Sequence, residues 1–364
     1  MTESDQRLFH GFDGLLFGAL LLLSGAGIVA IWSTTGSVGL DSYFGRQVMY
    51  LAASLVIFFT LLYFDYHLFS DFIVILYLAA MAVLGLVLIF GFSIHGNKSW
   101  IDLGVLSVQP SELVKIVVIV ALARYYSGLE GDYLGLREML IGGLIVFVPA
   151  LLVKLQGDLG TAVTFVPIYA ALSAIAGIRR KHVVMLVLAA AVAAPLTWFA
   201  LKDYQKDRIE TVFNPSGDPQ RFGYQTIQSQ IAVGSGGALG KGFGGGSQGH
   251  LGFLPARFTD FVFAVLAEEK GFVGSIAILA LFLLVAFRLF RTASEAKDRV
   301  GALIVSGVLA LLLFHMSINI GMVVGLLPIV GIPLPFVSAG GSSLISFFVG
   351  MSLCMGIRMR RYVN

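Results

Sequence analysis

Residues 47–64 read QVMYLAASLVIFFTLLYF, residues 65–71 read DYHLFSD, and residues 72–93 read FIVILYLAAMAVLGLVLIFGFS. The two long stretches carry no charged residue, and the seven residues between them hold two aspartates and a histidine. A helix that crosses the hydrocarbon core of a bilayer needs about 20 such apolar residues, within a range of about 17–25. The pattern is therefore two spanning helices joined by a short polar turn. A transmembrane strand would alternate with period two. These runs do not, which excludes the closed β-barrel, the one rival spanning architecture.

Further apolar runs lie near 14–32, 111–126, 139–155, 159–178, 183–201, 261–287, 301–327 and 335–357, which makes ten candidate spans. The expected fold is an all-α polytopic integral membrane protein, a single domain over residues 1–364 with one large hydrophilic loop, 202–260, between helices seven and eight. Composition agrees. Of 364 residues 57% are hydrophobic and only 12% charged, with a mean hydropathy of +0.90, against about 25% charged in a soluble domain. The net charge of +3 is too small to suggest a nucleic-acid partner. Cys354 is the one cysteine, so no intramolecular disulfide can form. No small-residue cleavage site follows the first apolar run, which reads as a span rather than a removed signal peptide.

Ten spans put both termini on one side. Short loops and ends on that side hold Arg7, Arg124, Arg137, Arg179, Arg180, Lys181, Arg288, Arg291, Lys297, Arg299, Arg358, Arg360 and Arg361, whereas the short loops opposite hold Arg46 and Lys98. Short cytoplasmic loops are enriched in Lys and Arg. Both termini are therefore expected in the cytoplasm and the 202–260 loop outside. Residues 234–252 within that loop hold ten glycines, and such a segment must lie close against other backbone or move.

Ionisable groups within spans cost about 2.5–3.5 kcal/mol each on insertion scales, so those present usually face a partner or a wet cavity. Three groups stand out. Glu112 and Lys115, after Gln109-Pro110-Ser111, are three apart and share a helical face; Pro110 at the first helical position also puts Glu112 where the helix dipole favours an acid. Lys154, Gln156 and Asp158 surround a short turn, where Asp158 is equally a helix cap. Thr259-Asp260 opens the span containing Glu268, Glu269 and Lys270; Asp260 again could be a cap, and Glu268, eight residues on, falls on a similar face. Residues 271–287 nearly suffice to span, which leaves the depth of the acid pair open. With the orientation above, all three groups lie at outer helix ends and are expected to converge on a polar cavity.

Other signals fail. Gly240-Lys241 is followed by Gly242 rather than Ser or Thr, so the glycine stretch is no nucleotide loop. The histidines are scattered and form no metal-ligand pair, and His315, in the ninth span, reads as a helix-to-helix hydrogen bonder.

Four long motifs, GNKSWIDLGVLSVQPSELVK at 96–115, YQTIQSQIAVGSGGALGKG at 224–242, FLPARFTDFVFAVLAEEKG at 253–271 and NIGMVVGLLPIVGIPLPFVSAGGSSL at 319–344, resemble those of the SEDS proteins (shape, elongation, division and sporulation), the RodA/FtsW/SpoVE group of membrane peptidoglycan glycosyltransferases. The likeness covers nearly the whole chain and leans to RodA in length, in the short N-terminus and in the IAVGSGG stretch. It implies polymerisation of lipid II into glycan strands on the outer face of the cytoplasmic membrane during elongation, with a class B penicillin-binding protein as transpeptidase partner. By the same likeness Asp260, in the family's TDF motif, is the catalytic carboxylate. Glu112, Lys115 and Asp158 match its polar cavity, and Ser338, Gly340, Gly341 and Ser342 its C-terminal signature. Two positions depart from the family pattern: Gly157 replaces a proline in the turn before Asp158, and Ala339 a tyrosine before the paired glycines.

The chemistry so implied is inverting glycosyl transfer with undecaprenyl diphosphate as leaving group. A diphosphate leaves without a paired general acid, unlike the alcohol in glycoside hydrolysis. One base must take the proton of the attacking hydroxyl, which suits Asp260. Positive charge must meet the departing diphosphate. Lys115, Lys154, Arg208, Arg221 or a bound divalent cation such as magnesium or manganese are the candidates. A lipid flippase or transporter is the rival from another class, since transporters also use interrupted spans with buried charge. A silent scaffold is the third reading, and the division polymerase FtsW an alternative within the family. A flippase would need a polar path open to both faces, while the inner halves of these spans are almost free of charge.

Overall fold

The structure is a computed structural model that describes residues 11–361 except 37, 38, 40, 41, 95, 96, 103, 105, 106, 132, 202, 219 and 220. Arg7 and residues 96, 103, 105 and 106 of the first long motif thus lie outside the described residues. In chain order the long helices are α1 (Gly14–Thr35), α2 (Tyr43–Tyr63), then, after short α3 (Tyr66–Asp71), α4 (Ile73–Phe90). A small antiparallel sheet follows, β1 (Phe92–Ile94), β2 (Asn97–Asp102) and β3 (Ser107–Val108), and then α5 (Pro110–Ser127) and α6 (Leu136–Leu155). The sixth expected span is broken into α7 (Leu159–Val163) and α8 (Phe165–Ala176). Pro167 explains the break, because its ring clashes with the carbonyl four residues back, that of Val163. Next come α9 (Arg180–Ala200), α10 (Asp203–Phe213), α11 (Phe222–Ser235) and short α12 (Ser247–His250). The chain closes with α13 (Val262–Ser294), α14 (Arg299–Val323) and α15 (Gly341–Arg360).

Among the described residues eight segments are long and apolar enough to cross a membrane. The other two expected spans are also helical: α5, which carries Glu112, Lys115 and Arg124, and the 21-residue α9. The protein is a multi-pass membrane protein. Two boundaries move by six residues or more, and the first is the end of α13, which runs to Ser294 rather than 287. The last span, expected from 335, starts at Gly341, because Pro328, Pro333 and Pro335 keep 324–340 out of a helix. The expectation of an exclusively helical outer side also misses the sheet, in which Phe92 pairs with Trp100 and Ile101 with Val108.

The C-terminal helix α15 is the centre of the bundle. Small residues let its neighbours close in, as is usual between membrane helices. Ser346 Oγ donates to the Glu112 carbonyl at 2.6 Å, and Ser352 Oγ to the Phe58 carbonyl at 2.7 Å. Helix α9 is the opposite case. On its described face Val183 to Leu188 are 40–62% exposed.

The arginines gather at one end. Asp13 caps α1 by accepting from the Leu16 N–H, and its other oxygen takes Arg288 at 2.6 Å and Arg358 at 3.3 Å. Glu295 pairs with Arg291 and Arg361, and Arg360 with Asp65. On the same end Asp298 caps α14 and accepts from Tyr66 Oη at 2.8 Å, with His67 Nε2 at 2.7 Å.

Candidate active site

At the other end of the bundle, residues 255–260 form a run of turns before α13. Ala256 sits at φ +52°, and its carbonyl accepts from the Thr259, Asp260 and Phe261 N–H groups. Phe261, not Asp260, occupies the N-cap of α13, and no side chain caps it. Asp260 is therefore not a helix cap, which removes its bland reading. The outward carbonyls of this turn are held one after another. Ala339 N donates to Phe258 at 2.8 Å, Ser338 Oγ to Thr259 at 2.5 Å, and Asn319 Nδ2 to Asp260 at 2.9 Å. Asn319 also donates to the Ile332 carbonyl at 2.9 Å, and a Cβ at Gly331 would lie 3.8 Å from Asp260 Oδ2. The Asp260 carboxylate thus lies against the 330–332 segment.

Arg208, on α10, lies within electrostatic range of the same carboxylate. Its guanidinium stacks over Phe222 at 4.7 Å and Tyr204 at 5.8 Å, and its buried Nε makes no hydrogen bond. Burial lowers the pKa of this guanidinium, while Tyr204 and Asp260 act in the opposite sense. Arginine stays cationic regardless, so Asp260 has a positively charged neighbour.

The remaining predicted residues divide by role. Lys115 is fully enclosed. Its Nζ donates to Glu112 Oε1 at 2.8 Å and lies 3.3 Å from His315 Nε2, whose other ring nitrogen reaches the Pro333 carbonyl at 3.2 Å. His315 is therefore the helix-to-helix link, and the Glu112–Lys115 pair supports the 330s segment from below. Asp158 caps α7: Oδ1 accepts from Thr161 N at 2.9 Å, and Oδ2 from Thr161 Oγ at 2.8 Å and Gln109 Nε2 at 2.5 Å. Gln156 binds the Leu84 carbonyl, and its own carbonyl accepts from Lys98 N, tying the turn to α4 and the sheet. Gly157 in that turn has φ +93°, which proline cannot adopt; the departure from the family pattern is a different turn, not merely a looser one. Ser342 accepts from Gln109 N at 2.8 Å. Lys154 and Arg221 are exposed, Arg221 at the start of α11, where its N–H donates to Asp218.

Glu268 and Asp260 do not share a helical face, because the helix begins after Asp260. Glu268 instead receives Lys241 at 2.7 Å, Ser247 Oγ and the N–H groups of Gln248 and Gly249. Glu268 and Glu269 precede a break in α13 at Gly271, φ +65° and ψ −161°, and both are buried. The glycine-rich segment fastens across that break. Lys241 N and Gly242 N donate to the Glu268 and Glu269 carbonyls, and Phe272 N and Val273 N to Gly237 and Ala238. A methyl at Gly240 would strike the Glu269 main chain. Of the two expectations for this segment, close backbone approach holds. Alanines at Gly244–Gly246 would not simply stiffen it, since a Cβ at Gly246 would meet Glu268 Oε2 at 2.6 Å.

Asn319 was not picked out from sequence, nor was Arg257, which stacks on Phe258 at 4.8 Å. The available signal was an amide four residues after His315 in an apolar span. Neither Asp158 nor Glu112 is free to hold a resident metal. Asp158 is occupied by three donors and Glu112 by Lys115, and among the described residues no three His, Cys, Asp or Glu are grouped to hold an ion.

The sequence profile of the FtsW/RodA/SpoVE family, described as cell cycle protein, matches residues 13–363. The chain belongs to the FtsW/RodA/SpoVE family. The chain is 37% identical over 351 residues to the peptidoglycan glycosyltransferase MrdB of Escherichia coli K12, covering 95% of this chain and 92% of that protein. It is 32% identical to the peptidoglycan glycosyltransferase RodA of Treponema pallidum, covering 96% and 98%. Among solved structures, a chain of a peptidoglycan synthase complex that coordinates polymerization and crosslinking superposes with a TM-score of 0.86 at 30% identity, covering 97% of this chain and 99% of that one. The rod shape determining protein RodA of Thermus thermophilus gives 0.73 at 27% identity, covering 97% and 98%. This FtsW/RodA/SpoVE chain thus keeps the family fold from end to end.

Proposed function

We propose that this chain is a peptidoglycan glycosyltransferase of the RodA kind that polymerises lipid II during cell elongation, with Asp260 as general base. The observation that carries the reading is the Asp260 turn itself: a carboxylate that precedes α13 rather than standing at its N-cap, lies against Gly331, and feels the Arg208 cation. Family membership supplies the reaction class.

In the step so assigned, the acceptor hydroxyl attacks the anomeric carbon of the donor sugar. Its proton passes to the Asp260 carboxylate as the new C–O bond forms. The bond to the diphosphate breaks on the opposite side, inverting the centre, and the electron pair leaves with the diphosphate. Arg208, planar and multidentate, is the cation suited to meet it. Lys115 is enclosed and paired, and so is poorly placed for that task. Magnesium or manganese arriving with the diphosphate would find Asp158 and Glu112 already occupied.

The arginine-rich end is assigned to the cytoplasm, with both termini, because short cytoplasmic loops concentrate Lys and Arg; Asp260 then faces outward. A class B penicillin-binding protein is the proposed crosslinking partner, in keeping with the synthase complex to which the chain is similar. Polymerisation of purified lipid II by the wild type and by Asp260→Asn, each with and without the partner and divalent metal, tests the reading. Loss of glycan product in Asp260→Asn under all conditions is expected. Full activity of that variant would end the proposal.

A further inference from the structure

Asp260 is reached from below as well as from the side. Asn319 is fully buried on α14. Its side-chain nitrogen has two hydrogens, and each has a main-chain acceptor: the carbonyl of Asp260 itself, and that of Ile332, next to the glycine whose Cβ position lies 3.8 Å from the Asp260 carboxylate. One amide therefore fixes both the residue that bears the acid and the segment the acid faces. Its own oxygen, Oδ1, is buried with no hydrogen-bond partner, an arrangement that ordinary core packing disfavours. One helical turn earlier on the same helix, His315 holds the Pro333 carbonyl and leans on Lys115, itself fixed by Glu112.

We infer that Asn319 is a positioning residue for catalysis: with Ser338 and His315 it forms a rigid clamp, built on the buried Glu112–Lys115 pair, that sets the direction of the Asp260 carboxylate. The inference rests on the general-base reading of Asp260. A structural hydrogen bond elsewhere in the bundle would serve stability alone. This one ends on the backbone of the reacting residue, and the neighbouring carbonyls of Phe258 and Thr259 are gripped by Ala339 and Ser338. With three successive carbonyls held, the turn is left little freedom to rotate its acid. Misplacement of a reacting group by about 1 Å can cost about 100-fold in rate. In this view Glu112 and Lys115 act through the clamp rather than on the substrate.

The test uses the full-length protein with its transpeptidase partner and lipid II as the varied substrate. Asn319→Leu keeps the branched four-atom side chain and removes both donors. Ser352→Ala deletes a comparable buried hydrogen bond far from the site and serves as the stability control. Asp260→Asn is measured in parallel. Asn319→Leu is expected to lower kcat at least tenfold, to leave KM for lipid II within about threefold, and to move the acidic limb of the kcat–pH profile. Ser352→Ala should keep wild-type kinetics at a similar loss of Tm. An inactive Asp260→Asn beside an Asn319→Leu enzyme with wild-type kcat and pH profile would overturn the clamp and leave the base assignment standing. An active Asp260→Asn would overturn both. Should Asn319→Leu fail to fold, Ser338→Ala removes the donor to the Thr259 carbonyl instead: a fall in kcat at unchanged KM supports the clamp, and an unchanged kcat refutes it.

Discussion

Replacing Lys115 by methionine isolates the energetics of the buried pair. Lys115 Nζ and Glu112 Oε1 are 2.8 Å apart, and the two side chains are 0% and 5% exposed. Methionine fills most of the lysine stem's volume, so the change is chiefly electrostatic: it leaves the Glu112 carboxylate buried without its cation. Removing one partner of a buried pair costs about 3–5 kcal/mol, whereas replacing both by apolar or neutral groups of similar size is often neutral. His315 loses its neighbour as well, which adds to the single variant's penalty. Lys115→Met should therefore reduce the folded-to-unfolded ratio more than 100-fold, at about 1.4 kcal/mol per factor of ten. The double variant Glu112→Gln/Lys115→Met should recover most of it. Equilibrium unfolding of the detergent-solubilised protein, run as a double-mutant cycle, reads the coupling directly. A double variant no more stable than Lys115→Met alone would refute the reasoning, because the cost would then come from lost packing rather than an orphaned charge.

Two further outcomes follow from other parts of the molecule. Burial acts to lower the pKa of His67, but hydrogen bonds and charge from Asp65 and Asp298 outweigh it, and the net shift is upward from the usual value of 6.5. A raised folded-state value stabilises while the imidazole is protonated, so the contribution is complete below about pH 6.5 and fades as pH rises through the higher folded value. Thermal unfolding of His67→Gln against wild type should show the variant relatively weaker at pH 6 than at pH 9; a constant difference across that range would refute the link. Arg208→Ala should slow lipid II polymerisation about 100-fold, the usual scale for losing one donor to developing charge. Arg208→Lys should remain impaired for want of the planar fork and its stacking on Phe222, and a lysine variant at wild-type rate would reassign the cation.

How far the sequence could be read depended on the range of the interaction. Spans are local hydropathy, and all ten expected runs are helical; proline accounts for the errors at Pro167 inside the sixth and at Pro333 and Pro335 before the last, while α13 outruns its apolar stretch to Ser294 because helix can continue past the hydrophobic run. Carboxylate roles were legible only as alternatives, since a cap and a catalytic acid look the same in one dimension. Structure separated them: Asp158 is a cap, with Thr161 N on its oxygen, and Asp260 is not. Glu268 was paired with Asp260 by helical spacing, which failed because a turn, not a helix, precedes Val262. Asn319 stayed hidden for a different reason. Its acceptors lie 59 residues before it and 13 after it, and no periodicity within a span reports contacts of that separation.

The central place of α15 bears on how the protein is made. A nascent chain translated as far as Val337 already contains every long helix that precedes α15, yet the Glu112 and Phe58 carbonyls still await the serines that will cover them. The earlier helices can enter the bilayer in order and meet one another, but the middle of the bundle stays unfilled until α15 arrives. Assembly of the bundle is therefore a late event, completed by the last twenty-odd residues, and a premature stop just before Gly341 would yield an inserted but hollow protein suited to quality-control proteolysis.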